Sequence, residues 1–279
     1  MTLQEYFRYA LNHLNTAGLK NCSFEARSLI CQVLKLSTED FIIFRERPLE
    51  DKDIHKLNRA LERRCKKEPL AKIVGIKEFW GLPFKVNEYT LDPRPDSETL
   101  VEAVLKSIKD KNDPLKILDL GTGSGCLILS LLHELKNAYA LAIDICDRAL
   151  AIALENARLL SLEKRCALKK SNWFDNICGT FDMIISNPPY IPEKQLEELG
   201  RELHYDPKLA LTPGPTGLES YRAILKDMHN FMEPKTKVFF EMGWDQSHSI
   251  SKIIEQQGFI VRAIHPDLAN RPRVIEFNR

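Results

Sequence analysis

The stretch Leu115-Lys116-Ile117-Leu118-Asp119-Leu120-Gly121-Thr122-Gly123-Ser124-Gly125 passes from a short apolar strand pattern into three glycines separated by single residues, and a helical pattern follows at 126–135. Glycines at a strand-to-helix turn permit a tight bend and let a ligand approach the backbone and the positive end of the helix. Alone, such a loop is also compatible with a plain turn. Its Gly-x-Gly-x-Gly spacing differs from the Gly-x-Gly-x-x-Gly of dinucleotide binders, and without a following Gly-Lys-Ser/Thr it is not a P-loop.

Outward from that turn, residues 115–120, 138–143, 166–169 and 183–186 read as short buried strands separated by helical stretches such as 126–135 and 148–160. This alternation predicts an α/β domain, a parallel sheet covered on both faces. Strands follow at 237–241, 259–264 and 273–277, the last two joined too closely for a crossover helix and therefore antiparallel. Upstream, apolar residues recur at helical spacing, as in Phe24, Leu29, Ile30, Val33 and Leu34, and predict a small helical domain over 1–72. Ser37-Thr38-Glu39-Asp40 and Pro48-Leu49-Glu50-Asp51 read as helix starts. Residues 73–95, with Gly75, Phe79, Trp80 and Gly81, predict a bridging hairpin, and 96–279 the α/β domain.

The 279 residues are 44% hydrophobic and 28% charged, which excludes disordered, collagen-like and coiled-coil chains. Lysine and arginine number 40 against 39 acids, a formal charge of +1, so the chain lacks the broad positive field of a protein that coats nucleic acid, and no stable nucleic-acid complex is expected. No apolar run approaches the roughly 18 residues of a membrane span. Residues Met1 to Glu5 show no basic segment leading into an apolar one, so a cytoplasmic location and no membrane partner are expected. Seven scattered cysteines without a Cys-x-x-Cys pair, and seven histidines without ligand spacing, predict no metal. One local excess stands out: 59–72 holds Arg59, Arg63, Arg64, Lys66, Lys67 and Lys72 against Glu62 and Glu68. A solvated helix face accounts for it more simply than a docking surface for an acidic or RNA-associated partner.

Two further features carry chemistry. Asp144 closes the second strand of the α/β region, where a carboxylate can accept both hydroxyl protons of a ribose. A ribose acid with a glycine turn but no pyrophosphate fingerprint points to an adenosine cofactor with an amino-acid tail, and S-adenosylmethionine fits. Asn187-Pro188-Pro189-Tyr190 stands at the end of the fourth strand, where open sheets bind ligands. The prolines push Asn187 and Pro188 out of helical conformation and leave carbonyls free. A planar NH₂ group can donate one proton to the Asn187 side-chain oxygen and one to the Pro188 carbonyl, with Tyr190 covering its face. Asp92-Pro93-Arg94-Pro95-Asp96-Ser97-Glu98 reads either as a rigid linker with Asp96 or Ser97 capping the next helix, or as a preordered wall at the mouth of a site.

Together these residues resemble a class I S-adenosylmethionine-dependent methyltransferase acting on a planar nitrogen. The whole chain resembles the peptide chain release factor N5-glutamine methyltransferases, the HemK/PrmC family. The likeness extends through Glu68-Pro69-Leu70-Ala71, the Pro93 to Glu98 segment, Ser171-Asn172-Trp173-Phe174, and Tyr205-Asp206-Pro207 with Ala210-Leu211. It continues in Gly217-Leu218, Glu241-Met242-Gly243, Asp267-Leu268, Arg271 and Arg273-Val274. The family implies a helical substrate-docking domain and a Rossmann-like, seven-stranded methyltransferase domain. It implies that Gly121, Thr122, Gly123, Ser124 and Gly125 pass under the methionine part of the cofactor, that Asp144 holds the ribose and that Trp173 packs on the adenine. Asn187, Pro188, Pro189 and Tyr190 are implied to clamp a glutamine side chain, with Asn187 also beside the cofactor and Asn187, Pro188 and Tyr190 as the catalytic set. The implied substrate is the glutamine of the Gly-Gly-Gln loop of class 1 release factors, and the products N5-methylglutamine and S-adenosylhomocysteine. Asn172 stands where many relatives carry an acid, and Lys72 where an aromatic residue is expected.

The same Asn-Pro-Pro-Tyr motif serves DNA adenine-N6 methyltransferases, whose exocyclic amine fits the clamp after base flipping. The absence of an inserted target-recognition segment and the charge of +1 weigh against that enzyme. A ribosomal protein glutamine methyltransferase is a close alternative. A binding module without catalysis has no need of a clamp beside a methyl group.

Overall fold

In the computed structural model of the chain, residues 1–196, 198 and 200–279 are described, Arg201 by its backbone alone. The chain divides into two compact units, Met1–Ile76 with Gly200–Tyr205, and Lys77–Leu199 with Asp206–Arg279.

The first unit is helical: α1 Leu3–Thr16, α2 Cys22–Leu34, α3 Thr38–Ile43, α4 Asp51–Cys65 and α5 Leu70–Val74. Two of its helices, α1 and α3, start with reciprocal caps. The Thr2 hydroxyl accepts from the Glu5 N–H while the Glu5 carboxylate accepts from the Thr2 N–H, and Ser37 and Asp40 repeat the arrangement before α3. Leu3, Tyr6, Ala10 and Leu14 lie on one face of α1 and bury against Ala26, Leu29 and Ile30 of α2 and Leu57 and Leu61 of α4. The basic run is largely neutralised inside the unit. Arg63 pairs with Glu68, Lys66 with Glu62, and Lys67 donates to the Gly18 carbonyl. Arg64, only 5% exposed, meets Glu25 at 2.9 Å and Glu202 at 2.8 Å. Arg64 and Lys72 are buried, so the run is not wholly the solvated helix face that its composition suggested.

The second unit begins with a two-stranded hairpin, β1 Ile76–Phe79 and β2 Leu82–Lys85, whose first strand starts at the boundary residue Ile76. Its two-residue turn places Trp80 and Gly81 at φ +54° and +68°. The Trp80 N–H and indole N–H donate to Glu98 and Glu134, at 2.8 and 3.1 Å. The main sheet follows: α6 Glu98–Ser107, β3 Lys116–Leu120, α7 Cys126–Glu134, β4 Tyr139–Asp144, α8 Asp147–Leu159, β5 Cys166–Lys170 and β6 Phe181–Ser186. Then come α9 Lys208–Leu211, α10 Glu219–Asp227, β7 Met232–Glu241, α11 Ser247–Gln256, β8 Ile260–Pro266 and β9 Pro272–Asn278.

Seven strands lie in the order β5-β4-β3-β6-β7-β9-β8. β3 to β7 pair in parallel, β9 runs antiparallel to β7, and β8 pairs antiparallel with β9, as the short connection between them requires. Period-two alternation sends Ile117 to one face, against α6 and α7, and Leu118 and Leu120 to the other, against α10 and α11. After β3 the chain builds outward through β4 and β5, then returns to place β6 on β3's other side. The carboxyl end of β3 is thus the switch point where open sheets take ligands. β7 starts five residues earlier than its sequence pattern, because Glu233-Pro234-Lys235 resembles a turn yet lies within the strand. Among the described residues no helix is long and apolar enough to cross a membrane.

Candidate active site

A cavity of about 590 Å³ opens at the switch point, within the usual size range of small-molecule sites. Gly121, Thr122, Gly123 and Ser124 line it, together with Asp144 and Trp173. The loop turns through left-handed backbone, and at Gly125, φ +81°, an added Cβ would lie 3.0 Å from Leu129 Cδ1 and 3.4 Å from the Ala153 methyl. Glycine there lets the start of α7 pack closely on α8.

Asp144 ends β4 beside this loop. Its Oδ2 accepts from the Gly123 N–H and its Oδ1 from the Cys146 N–H, both at 2.9 Å. A carboxylate has about four acceptor sites, and with the Ile145 N–H as a further backbone donor Asp144 still keeps acceptor capacity for a ligand. Burial raises its pKa, and the backbone donors oppose the rise. Trp173 has φ +46°, uncommon for a bulky residue. Its carbonyl accepts from the Ser171 hydroxyl at 2.7 Å, and that hydroxyl accepts from the Asn176 N–H. The indole therefore lies beside Gly121, 3.8 Å from where a Cβ would be. Asn172 is exposed and lines the same end.

Asn187 and Pro189 line the opposite part of the cavity; Pro188 is buried and Tyr190 half-buried, and neither belongs to the lining. Tyr190 turns its hydroxyl to Glu241 Oε1 at 3.4 Å, so its hydrogen bond goes beneath the segment. Its carbonyl accepts from the Gln246 side chain at 2.9 Å. Gly217, φ +74°, packs so closely on that carbonyl that a Cβ would sit 2.4 Å from it. The segments 217–218 and 241–243 thus brace the Asn187 to Tyr190 turn.

The Pro-Arg-Pro segment does form part of the wall: Pro93, Arg94 and Ser97 line the cavity. Asp206, fully buried, fastens it by accepting from the Asp92 N–H at 3.1 Å and from the Arg94 guanidinium at 2.6 Å. Ser97 makes no side-chain cap at the start of α6. Its oxygen accepts from Asn187 Nδ2 at 3.4 Å, which leaves the Asn187 side-chain oxygen for a ligand.

Three acids escaped the sequence argument. Asp119, which precedes the glycine loop, is 1% exposed, neither of its oxygens has a hydrogen-bond partner, and burial pushes its pKa up to about 7. Glu241 is equally buried and likewise raised to about 7. Glu219 lines the cavity with an unpartnered Oε2, while its other oxygen accepts from the Thr216 N–H and hydroxyl. Asp119 was visible as the acid before the loop and Glu241 as the first residue of Glu241-Met242-Gly243, though neither was given a site role; nothing in the local pattern marked Glu219. Among the described residues no group of three or more His, Cys, Asp or Glu is arranged to hold a metal ion.

Residues 5–75 match the family model of the PrmC N-terminal domain, and residues 95–215 that of the methyltransferase small domain. A release factor glutamine methyltransferase of Agrobacterium fabrum is 37% identical over 97% of this chain and 95% of its own length. This chain belongs to the release factor glutamine methyltransferase family. A bifunctional methyltransferase of Rickettsia felis is 34% identical over 99% of the chain, which spans 58% of that longer protein. Among solved structures, a methyltransferase from Pyrococcus furiosus aligns with a TM-score of 0.55 at 19% identity, covering 78% of this chain and 98% of its own, a likeness of fold. Within this glutamine methyltransferase family member, Gly121 to Ser124, Asp144, Trp173, Asn187 and Pro189 surround one cavity, while Gly125, Pro188 and Tyr190 lie outside its lining.

Proposed function

We propose that this chain methylates the side-chain amide nitrogen of the glutamine in the Gly-Gly-Gln loop of class 1 release factors, with S-adenosylmethionine as methyl donor, in the cytoplasm. The observation that carries the proposal is the placement of Asn187, with its side-chain oxygen available, in one cavity with the glycine loop and Asp144.

The residues fit the cofactor. Asp144 keeps acceptor capacity for a ribose hydroxyl, Trp173 offers a flat face beside Gly121, and the orphaned carboxylate of Asp119 favours a cation such as an amino-acid ammonium. When bound, S-adenosylmethionine supplies an electrophilic methyl on a positive sulfur.

The protein's task is to make a poor nucleophile attack. An amide nitrogen's lone pair is delocalised into its carbonyl. The Asn187 oxygen and the Pro188 carbonyl each accept one amide proton, which turns the nitrogen lone pair toward the methyl and stabilises positive charge as the N–C bond forms. As the N–C bond forms the methyl's bond to sulfur breaks, its electron pair staying on the thioether of S-adenosylhomocysteine, and one proton passes from the nitrogen to solvent, giving N5-methylglutamine. No residue is assigned as general base.

Fragmentation mass spectrometry of a release factor incubated with the chain and S-adenosylmethionine tests this. A single methyl on the loop glutamine is expected; an unmodified loop, or methyl elsewhere, overturns it.

A further inference from the structure

We propose that Gln246 is a positioning residue for the clamp, its side-chain amide donating to the Tyr190 carbonyl and so fixing where the Pro188 carbonyl points. On the glutamine-methylating reading above, this adds to the site a residue outside the cavity lining.

The Asn187 to Tyr190 turn has little of its own to anchor it. Pro188 and Pro189 carry no N–H, so the backbone donors that usually fasten a turn are missing from its middle. Upstream the sheet holds it, since Ser186 of β6 pairs with Leu120 and Phe240. Downstream, the peptide joining Tyr190 to Ile191 is pinned at both poles: its carbonyl accepts from Gln246 Nε2 at 2.9 Å, and its N–H donates to the Leu211 carbonyl at 3.0 Å. Between that peptide and the Pro188 carbonyl, the Pro189 ring fixes one torsion, and only Pro189 ψ and the Tyr190 φ and ψ are soft. Pinning Tyr190 therefore sets the direction of the Pro188 carbonyl, the second acceptor of the clamp.

Gln246 is placed for that reach. It stands at the N-cap of α11, where a short Asn, Asp, Ser or Thr would turn back on the helix, and its longer side chain makes no cap. Its backbone is fixed, the N–H donating to the Gly243 carbonyl at 2.9 Å and the carbonyl accepting from the Ile250 N–H at 3.0 Å. Its side-chain oxygen accepts from the Gly243 N–H at 3.0 Å, which leaves the amide one orientation, oxygen to Gly243 and nitrogen to Tyr190. Two glycines make room for it. A Cβ at Gly243 would stand 2.8 Å from Gln246 Oε1, and one at Gly217 would stand 3.0 Å from Nε2. The bridge thus ties the chain leaving β7 to the turn leaving its neighbour β6, across 56 residues of sequence.

Gln246→Met keeps an unbranched side chain of similar length and removes both bonds. It is expected to lower kcat on a release factor on the order of 100-fold, the scale of a reacting group misplaced by about 1 Å, with little change in KM for S-adenosylmethionine. Gln246→Glu, ionised, still accepts from Gly243 but has no proton for Tyr190, and the same loss of kcat is expected. A substrate-free measurement accompanies them: by NMR, the Ile191 amide proton exchanges several-fold faster in Gln246→Met than in wild type, while the amides of β3 and β4 exchange as before. Wild-type kcat in either variant overturns the proposal, as does unchanged exchange at Ile191. A loss of cofactor affinity matching the loss of kcat marks a merely structural role and overturns it too. If the wild-type chain methylates no release factor, the functional reading falls, and exchange at Ile191 still decides whether Gln246 holds the turn.

Discussion

Asn187 has its nitrogen engaged by Ser97 and its oxygen left for substrate, so its side chain carries half of the proposed clamp. Asn187→Ala removes one preorganised acceptor and is expected to raise the barrier by about 2.7–4 kcal/mol, with cofactor affinity little changed; steady-state kinetics on a release factor measure both. Asp119 makes a prediction about stability. Burial raises its folded pKa from 3.8 to about 7, so its contribution to folding is fully present below the unfolded value and is lost as pH rises through the folded one. Without cofactor, Asp119→Asn should therefore gain stability relative to wild type between about pH 5 and pH 8, seen by thermal denaturation at constant ionic strength. A constant difference across that window contradicts the assignment. The sequence showed Asn187 and Asp144 because each stands at a strand end inside a local motif. It could not show that Ser97 turns from the helix it precedes to a residue 90 positions away, since that depends on which strands become neighbours.

At the level of elements, the order of strands and helices was legible because buried parallel strands are short apolar runs bounded by turns. The antiparallel end followed from a loop too short to cross the sheet. The bracing of the Asn187 turn was not legible. Gly217 reads as an ordinary loop glycine until β6 and β7 lie side by side and its missing side chain makes room for the Tyr190 carbonyl. Gly217→Ala would set a Cβ 2.4 Å from that oxygen in a left-handed backbone, so the 187–190 turn must shift. A misplacement of about 1 Å can cost on the order of 100-fold, and kcat should fall far more than cofactor affinity. Equal losses in both would show that the whole cavity, rather than the turn, had moved.

At the scale of the whole molecule, the chain divides into two compact units. In the helical unit, the buried Arg64 takes Glu25 from α2 and Glu202 from a segment far along the chain, partners 39 and 138 residues distant. Composition shows the excess of charge at 59–72 but not where its partners lie. Glu25→Ala strips Arg64 of two charge-assisted bonds and should destabilise that unit by about 1.5–3 kcal/mol, read from its thermal transition. An unchanged transition would mean that solvent replaces the pair. The second unit gathers Gly121, Asp144 and Asn187 at the carboxyl ends of adjoining strands, and the claim that unites them is that the clamp holds a glutamine amide. Labelled methyl transfer from S-adenosylmethionine to three acceptors tests it most directly: a class 1 release factor, the same factor with its loop glutamine changed to alanine, and duplex DNA. Label on the first alone is predicted; label on DNA, or equally on both factors, contradicts the account.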